Sequence, residues 1–267
     1  MAELRRRDAV TTERALRCGM AIMAKAPRVG EAKTRLMPAL TAEQAAGLAA
    51  CFIRDTAENI ASAARSAPID GYIAYSPPGS EAEFAPLLAA GTGLLPPRRG
   101  GLAASLYDAA ADLLAAGYGS ACLVDADSPT LPTSVLIAAA RALSPPGDRV
   151  VLGPAEDGGY YLIGLKRAHA RLFEDIAWST SAVFAQTVER ARELGLESIV
   201  LPPWYDIDEL ASLRRLDAEL FGAAGADNPD EAYRAPHTRA FLNALSAGDA
   251  ASPAAGIGTP FTDPADR

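Results

Sequence analysis

Apolar positions along the chain fall into two alternating kinds of segment. Short runs of strand length, CGMAIMA (18–24), GYIAYS (71–76), SACLVDA (120–126), RVVLG (149–153), YYLIGL (160–165) and ESIVLP (197–202), are separated by Ala/Leu-rich stretches with helical spacing near 41–66, 80–90, 101–116, 132–143, 181–195 and 208–221. The rhythm predicts an α/β fold, a mostly parallel sheet covered by helices on both faces, as one domain over 18–221. Thr41 followed by Gln44 reads as a capping box, and Ser179, Thr180 or Ser181 stands where the helix ending at Gly195 needs a cap. RVVLGPAEDGGYYLIGL breaks the rhythm: two strands joined by a Gly-rich acidic turn predict a hairpin inserted into the sheet, which makes it mixed. Residues 1–17 read as a polar lead-in. Residues 222–267 read as an Ala/Gly/Pro-rich tail, largely flexible, with a short helix at 238–245 docking through Phe241, Leu242 and Leu245.

Composition narrows the function classes. The chain has 267 residues, 49% of them hydrophobic, enough for a substantial core. Its net charge of -8 argues against a nucleic-acid partner, which needs a basic stripe. Cysteines 18, 51 and 122 are odd in number and lack metal-binding spacing, which fits a reducing cytoplasm. No run approaches the roughly 20 apolar residues of a membrane span, and the N-terminal stretch lacks the apolar core of a secretory signal.

Against that acidic background, Lys25, Arg28, Lys33 and Arg35 lie within eleven residues straight after the first strand, punctuated by Pro27 and Gly30. In an open α/β sheet, ligands bind beyond the carboxyl ends of the strands, so a phosphorylated ligand accounts for this local basicity. Either the loop stays extended through Arg35 and gives both cations to the ligand, or only one of Lys33 and Arg35 binds; Pro38 agrees with the extended form, in which the first helix begins at the Thr41 cap. The third long strand runs into Asp125-Ala126-Asp127, whose carboxylates at i and i+2 suit a divalent cation beside a diphosphate, Asp127 being the stronger candidate. Asp206 and Asp208 form a second such pair after the last strand, with Asp208 also placed to cap the next helix. If the two pairs meet, they form a one- or two-metal site. In the hairpin turn, Glu156 or Asp157 is a candidate general base, Gly158 and Gly159 permit close backbone approach, and Tyr160 lines an acceptor pocket that Trp178, Ser179 and Thr180 close over. Arg99, Gly100 and Gly101 open a helix whose first amides can take a phosphate.

The motifs KAPRVGEAKTRL, VDADSPTLP, GPAEDGGYYLIGL, WST before a helix and a late DID, in this order over about residues 20–215, resemble the bacterial nucleotide-diphospho-sugar transferase-like family, usually described as glycosyltransferases and often associated with radical-SAM gene clusters. That family is similar to 2-phospho-L-lactate guanylyltransferase and the molybdenum-cofactor nucleotidyltransferases. The resemblance implies a GT-A-like (Rossmann-like) domain and nucleotide and phosphate binding by Lys25, Lys33 and Arg35. It also implies metal binding by Asp127 with Asp206 and Asp208, and an acceptor-side loop from Glu156 to Tyr160. Two departures stand out: Asp125-Ala126-Asp127 replaces the family's Gly-Thr-Asp or Gly-Ser-Asp, and the stretch from Arg99 to Leu106 lacks the family's closing arginine. The expected reaction is transfer of a sugar from a nucleotide-sugar to a small-molecule acceptor. Its alternative is nucleotidyl transfer from an NTP to a phosphorylated small molecule with release of pyrophosphate. Magnesium or manganese is the expected cofactor, Lys33 with Glu156 or Asp157 the catalytic groups, a cytoplasmic homodimer the expected form, and a non-catalytic nucleotide-binding protein the remaining alternative.

Overall fold

The computed structural model describes residues 13–97, 100–222 and 232–248. A seven-stranded sheet runs through it, built from β1 (Cys18–Lys25), β2 (Ile69–Ser76), β3 (Gly93–Leu94), β4 (Ser120–Val124), β5 (Arg149–Pro154), β6 (Tyr160–Leu165) and β7 (Glu197–Val200), in the order β3-β2-β1-β4-β6-β5-β7. Only the pairings of β6, with β4 and with β5, are antiparallel. The α/β expectation holds, and so does the hairpin insertion.

The first strand, with neighbours on both sides and helices on both faces, is apolar almost throughout because every side chain to Ala24 is enclosed or nearly so. On one face pack α1 (Ala42–Ala63) and, with α2 (Glu81–Phe84) beyond the loop after β2, α4 (Thr133–Leu143); the core there gathers Met20, Ile22, Ile60, Ile73 and Leu136. On the other face α3 (Leu102–Ala115), through Leu113, and α5 (Val183–Glu193) cover Ala21, Leu123, Leu152 and Ile163. Tyr161, Leu162 and Ile163 are fully buried.

A third apolar cluster joins Leu36 and Leu40 of the basic loop to Phe52 of α1, Leu213 and Leu216 of α6 (Leu210–Phe221), and Leu242 and Leu245 of α7 (Pro236–Ser246). The last helix docks as its apolar spacing demands. Asp55 of α1, fully buried, accepts from the backbone amides of His237 (2.9 Å) and Thr238 (2.7 Å), satisfying two of the orphan donors at the helix start. Nearby, the Tyr233 amide donates to the Thr130 carbonyl at 2.9 Å. Among the described residues, no helix is long and apolar enough to cross a membrane.

Local expectations fared unevenly. The Thr41–Gln44 capping box forms with both its bonds. The stretch from 80 to 90 makes only α2 and a 3-10 turn at Ala85–Leu87, because Pro86 removes a helical donor. The basic loop is not extended through Arg35: Lys33 adopts left-handed geometry (φ 47°) and a 3-10 turn covers Thr34–Leu36. No side chain caps α5; the Thr180 hydroxyl instead accepts from the Ala182 amide just ahead of it. Asp208 does not cap α6 either, because its carboxylate is engaged elsewhere, and Glu209 flanks that helix with its amide donating to Ser212 Oγ.

Candidate functional site

Because β6 runs against its neighbours, it begins at the edge where the parallel strands end. The loops after β1, β4, β5 and β7 and the first residue of β6 therefore converge on one edge of the sheet, around two adjoining clefts of about 400 Å³ each. Arg35, Asp157 and Asp208 line both clefts and form the partition between them.

The two acidic pairs do meet. The Ile207 amide donates to the Asp127 carbonyl at 2.9 Å, drawing the segment 205–208 beside the loop after β4. Between them stands Lys33, whose side chain is 7% exposed: its Nζ lies 2.7 Å from Asp127 Oδ1 and 2.8 Å from Asp208 Oδ1, and donates to the Ile207 carbonyl at 2.6 Å. Burial on its own would lower the lysine pKa, but the facing carboxylates outweigh it and the ammonium is held more firmly than usual. Arg35, 68% exposed, reaches to 3.9 Å from Asp208 Oδ2 at the mouth of the clefts.

Asp125 plays a different part from Asp127. Burial first, then the charge of Asp127, pushes its carboxyl well above the usual range; Oδ2 accepts from Ser128 Oγ at 3.0 Å, while Oδ1 is buried with no partner. Asp206 is pushed up to about 6, by burial first and then by Asp157 and Asp208. The carboxylates of Asp127, Asp157, Asp206 and Asp208 outnumber the cations Lys33 and Arg35 at this edge, and such an excess is the chemistry a hard divalent cation seeks. Among the described residues, however, no three His, Cys, Asp or Glu side chains converge on one point. Lys33 holds the place between Asp127 and Asp208, so the donors fit a cation only once that ammonium has moved.

The remaining expected site residues divide clearly. Asp157, Gly159, Tyr160, Trp178, Ser179 and Thr180 line the first cleft, with Leu102 and Leu106 of α3 and Met23 of β1 forming an apolar wall. Gly158 (φ 93°) packs directly beneath the loop that follows Trp178: a Cβ there would stand 2.3 Å from the Ser181 carbonyl oxygen. Gly101 flanks the start of α3, as anticipated, and Gly100 precedes it at φ 88°. Arg99 lies outside the described residues.

Other residues are corrected by their partners. Arg28 turns away and forks onto Glu83 at 2.7 and 3.1 Å. Lys25, exposed at the end of β1, and Gly30, with open space around it, line neither cleft. Glu156 is half-exposed and paired with Arg215 at 2.7 Å, which leaves Asp157 the freer base. The sequence reading passed over Arg215, whose guanidinium lies 3.8 Å above the Tyr205 ring in the second cleft; nothing in the pattern of α6 distinguishes it from its neighbour Arg214.

Residues 59–180 match the profile of DUF2064, described as an uncharacterized protein conserved in bacteria. No curated protein matches the chain. Among solved structures, a candidate nucleotide-diphospho-sugar transferase from Desulfovibrio desulfuricans is 26% identical, covers 86% of this chain and 95% of its own, and superposes with a TM-score of 0.72. Looser likenesses include a cytidylyltransferase from Leptospira borgpetersenii (10% identical, 89% of this chain and 98% of that one, TM-score 0.49) and a CMP:2-keto-3-deoxy-manno-octonic acid synthetase in complex with CTP (11%, 76% and 97%, TM-score 0.48). With its sheet order, the clefts at the carboxyl edge of that sheet and the likeness to the Desulfovibrio protein, this chain has a nucleotide-diphospho-sugar transferase-like fold.

Proposed function

We propose that this chain is a metal-dependent transferase that moves a sugar from a nucleotide-sugar donor to a small-molecule acceptor. The observation that carries the reading is the meeting of Asp127, Asp208 and Lys33, with Arg35 beside them, at the carboxyl edge of the sheet between two clefts. The nucleoside packs against Met23, Leu102 and Leu106, and the amides of the first turn of α3 face its phosphates. Arg35, the most exposed cation at the mouth, takes the diphosphate, and Lys33 exchanges its carboxylate partners for phosphate oxygens. Asp127, Asp206 and Asp208 would hold magnesium or manganese once the Lys33 ammonium has moved, and the cation would supply charge neutralisation for the diphosphate. Asp157, on the partition between the clefts, accepts the proton of the acceptor hydroxyl.

One feature favours the nucleotidyl-transfer alternative: Arg35 and Arg215 both line the second cleft, where they can hold a phosphorylated acceptor. A thermal-shift screen of nucleoside triphosphates and nucleotide-sugars, with and without magnesium or manganese, tests the reading. A cognate ligand at 100 times its dissociation constant adds about 2.7 kcal/mol. Stabilisation by a nucleotide-sugar that depends on the cation is expected; no shift with any nucleotide overturns the proposal, and a shift with triphosphates alone selects the alternative.

A further inference from the structure

We propose that the end of the first cleft walled by Tyr160 and Trp178 is the subsite for the transferred sugar, and that it selects an uncharged, hydroxylated ring. The inference rests on the nucleotide-sugar reading above. It begins with two polar atoms that have nothing to bond to. The Tyr160 hydroxyl is buried with no partner, and so is Asp125 Oδ1; both residues line this cleft. An orphaned buried donor or acceptor costs about 1–3 kcal/mol, which a ligand hydroxyl at this wall recovers.

The apolar part of the wall has the matching shape. Trp178 meets Tyr160 edge to face, with centroids 6.4 Å apart and planes at 78°, and the C–H face of a pyranose packs on such a surface. Ser179, Thr180 and Ser181 add hydroxyls at the rim. The wall is also held rigidly. The Phe184 amide donates to the Gly158 carbonyl at 2.9 Å, Gly158 leaves no room for a Cβ beside Ser181, and Ser179 is kept in left-handed geometry at φ 63°. Backbone held in such sparsely populated geometry clusters at ligand clamps.

Charge decides the class of sugar. Asp125, Asp127, Asp157 and Asp208 line the cleft, and Arg35 is the one cation among its described lining residues. If the diphosphate takes Arg35 and the divalent cation takes Asp127 and Asp208, a uronate carboxylate or sugar phosphate at the Tyr160 wall would face Asp157 with no cation left to pair with it, whereas the hydroxyls of a neutral hexose donate to that carboxylate.

The test is calorimetry with UDP, UDP-glucose, UDP-glucuronate, GDP and GDP-mannose, in magnesium, on the wild type, Tyr160→Phe and Trp178→Ala. Tyr160→Phe removes only an unpartnered hydroxyl, so the ligand-free variant keeps its melting temperature and guards against misfolding of Trp178→Ala. One nucleotide-hexose is expected to bind at least tenfold tighter than its nucleoside diphosphate, with that gain reduced at least fivefold in both variants while diphosphate affinity stays within twofold. If UDP-glucose is the hexose bound, UDP-glucuronate falls at least tenfold below it. Equal weakening of diphosphate and nucleotide-hexose overturns the subsite but leaves the nucleotide reading standing. Uronate binding as tightly as glucose overturns the selection for a neutral ring. No binding by any of the five removes both this inference and the function it rests on.

Discussion

Replacing Lys33 by Met separates what this residue does for the fold from what it does for a ligand. The substitution keeps most of the aliphatic stem and deletes an ammonium that lies 5.6 Å from the centroid of the Phe52 ring and is held at 2.7 and 2.8 Å by two carboxylates and at 2.6 Å by a carbonyl. Removing one partner of a fully buried ion pair costs about 3–5 kcal/mol. Here the lysine is enclosed but Asp127 and Asp208 are each 42% exposed, so water reaches their outer oxygens and the cost falls to about 2–3 kcal/mol. The reading of Lys33 as a ligand group in an extended loop would predict little change in stability, so the two pictures diverge sharply. Urea unfolding followed by the fluorescence of Trp178 and Trp204, in chelator so that no cation substitutes, gives the number. The companion measurement repeats the substitution in an Asp127→Asn/Asp208→Asn background, where most of the cost should vanish if it arises from those carboxylates. A loss below about 0.5 kcal/mol in the parent, or an equal loss in both backgrounds, refutes the argument.

Three further outcomes follow from particular contacts. Asp206 titrates near 6 in the folded chain against about 3.9 unfolded, so the folded state binds the extra proton and Asp206 costs stability as pH rises from 4 through 6. A two-unit shift is nearly 3 kcal/mol in a sealed site and about 1 kcal/mol for a partly exposed group, so Asp206→Asn in chelator should gain about 1 kcal/mol at pH 7.5 and nothing at pH 4; a gain independent of pH would contradict this. Asp55→Ala removes both acceptors at the start of α7, should cost about 2 kcal/mol and should speed amide exchange throughout that helix, whereas unchanged exchange would show that Leu242 and Leu245 hold it unaided. Gly158→Ala puts a methyl group 2.3 Å from a carbonyl oxygen at positive φ and should cost about 2–4 kcal/mol by chemical denaturation; a loss under 1 kcal/mol would mean that the loop after Trp178 moves aside freely.

The strand rhythm and hairpin were legible because each strand's apolar run is set by its own burial and the Gly-rich turn by its own geometry. The acidic pairs were legible as pairs for the same reason. Their union was not: Asp208 and Lys33 are 175 residues apart, and no local pattern encodes an ammonium seated between two loops that only the sheet order brings together. Arg28 misled for the matching reason, since its partner Glu83 lies on α2, 55 residues away. The cap of α6 was misplaced by a single residue because Asp208 and Glu209 compete for one position, and the competition is settled by the distant Lys33. Arg215 escaped notice because a cation on an amphipathic helix becomes part of a cleft only when a neighbouring loop arrives opposite it.

The docking of α7 against α1 bears on the order in which the chain can be finished during its synthesis. The central strand and α1 precede the last described helix by well over a hundred residues, and Asp55 acquires its amide partners, 182 and 183 residues further on, only when residues 237 and 238 emerge. Until then α1 carries a buried-type carboxylate with no donors, and the apolar positions that Leu242 and Leu245 will cover remain open to water. That face of the nascent domain is therefore completed by residues made long after α1, and it closes only as α7 arrives.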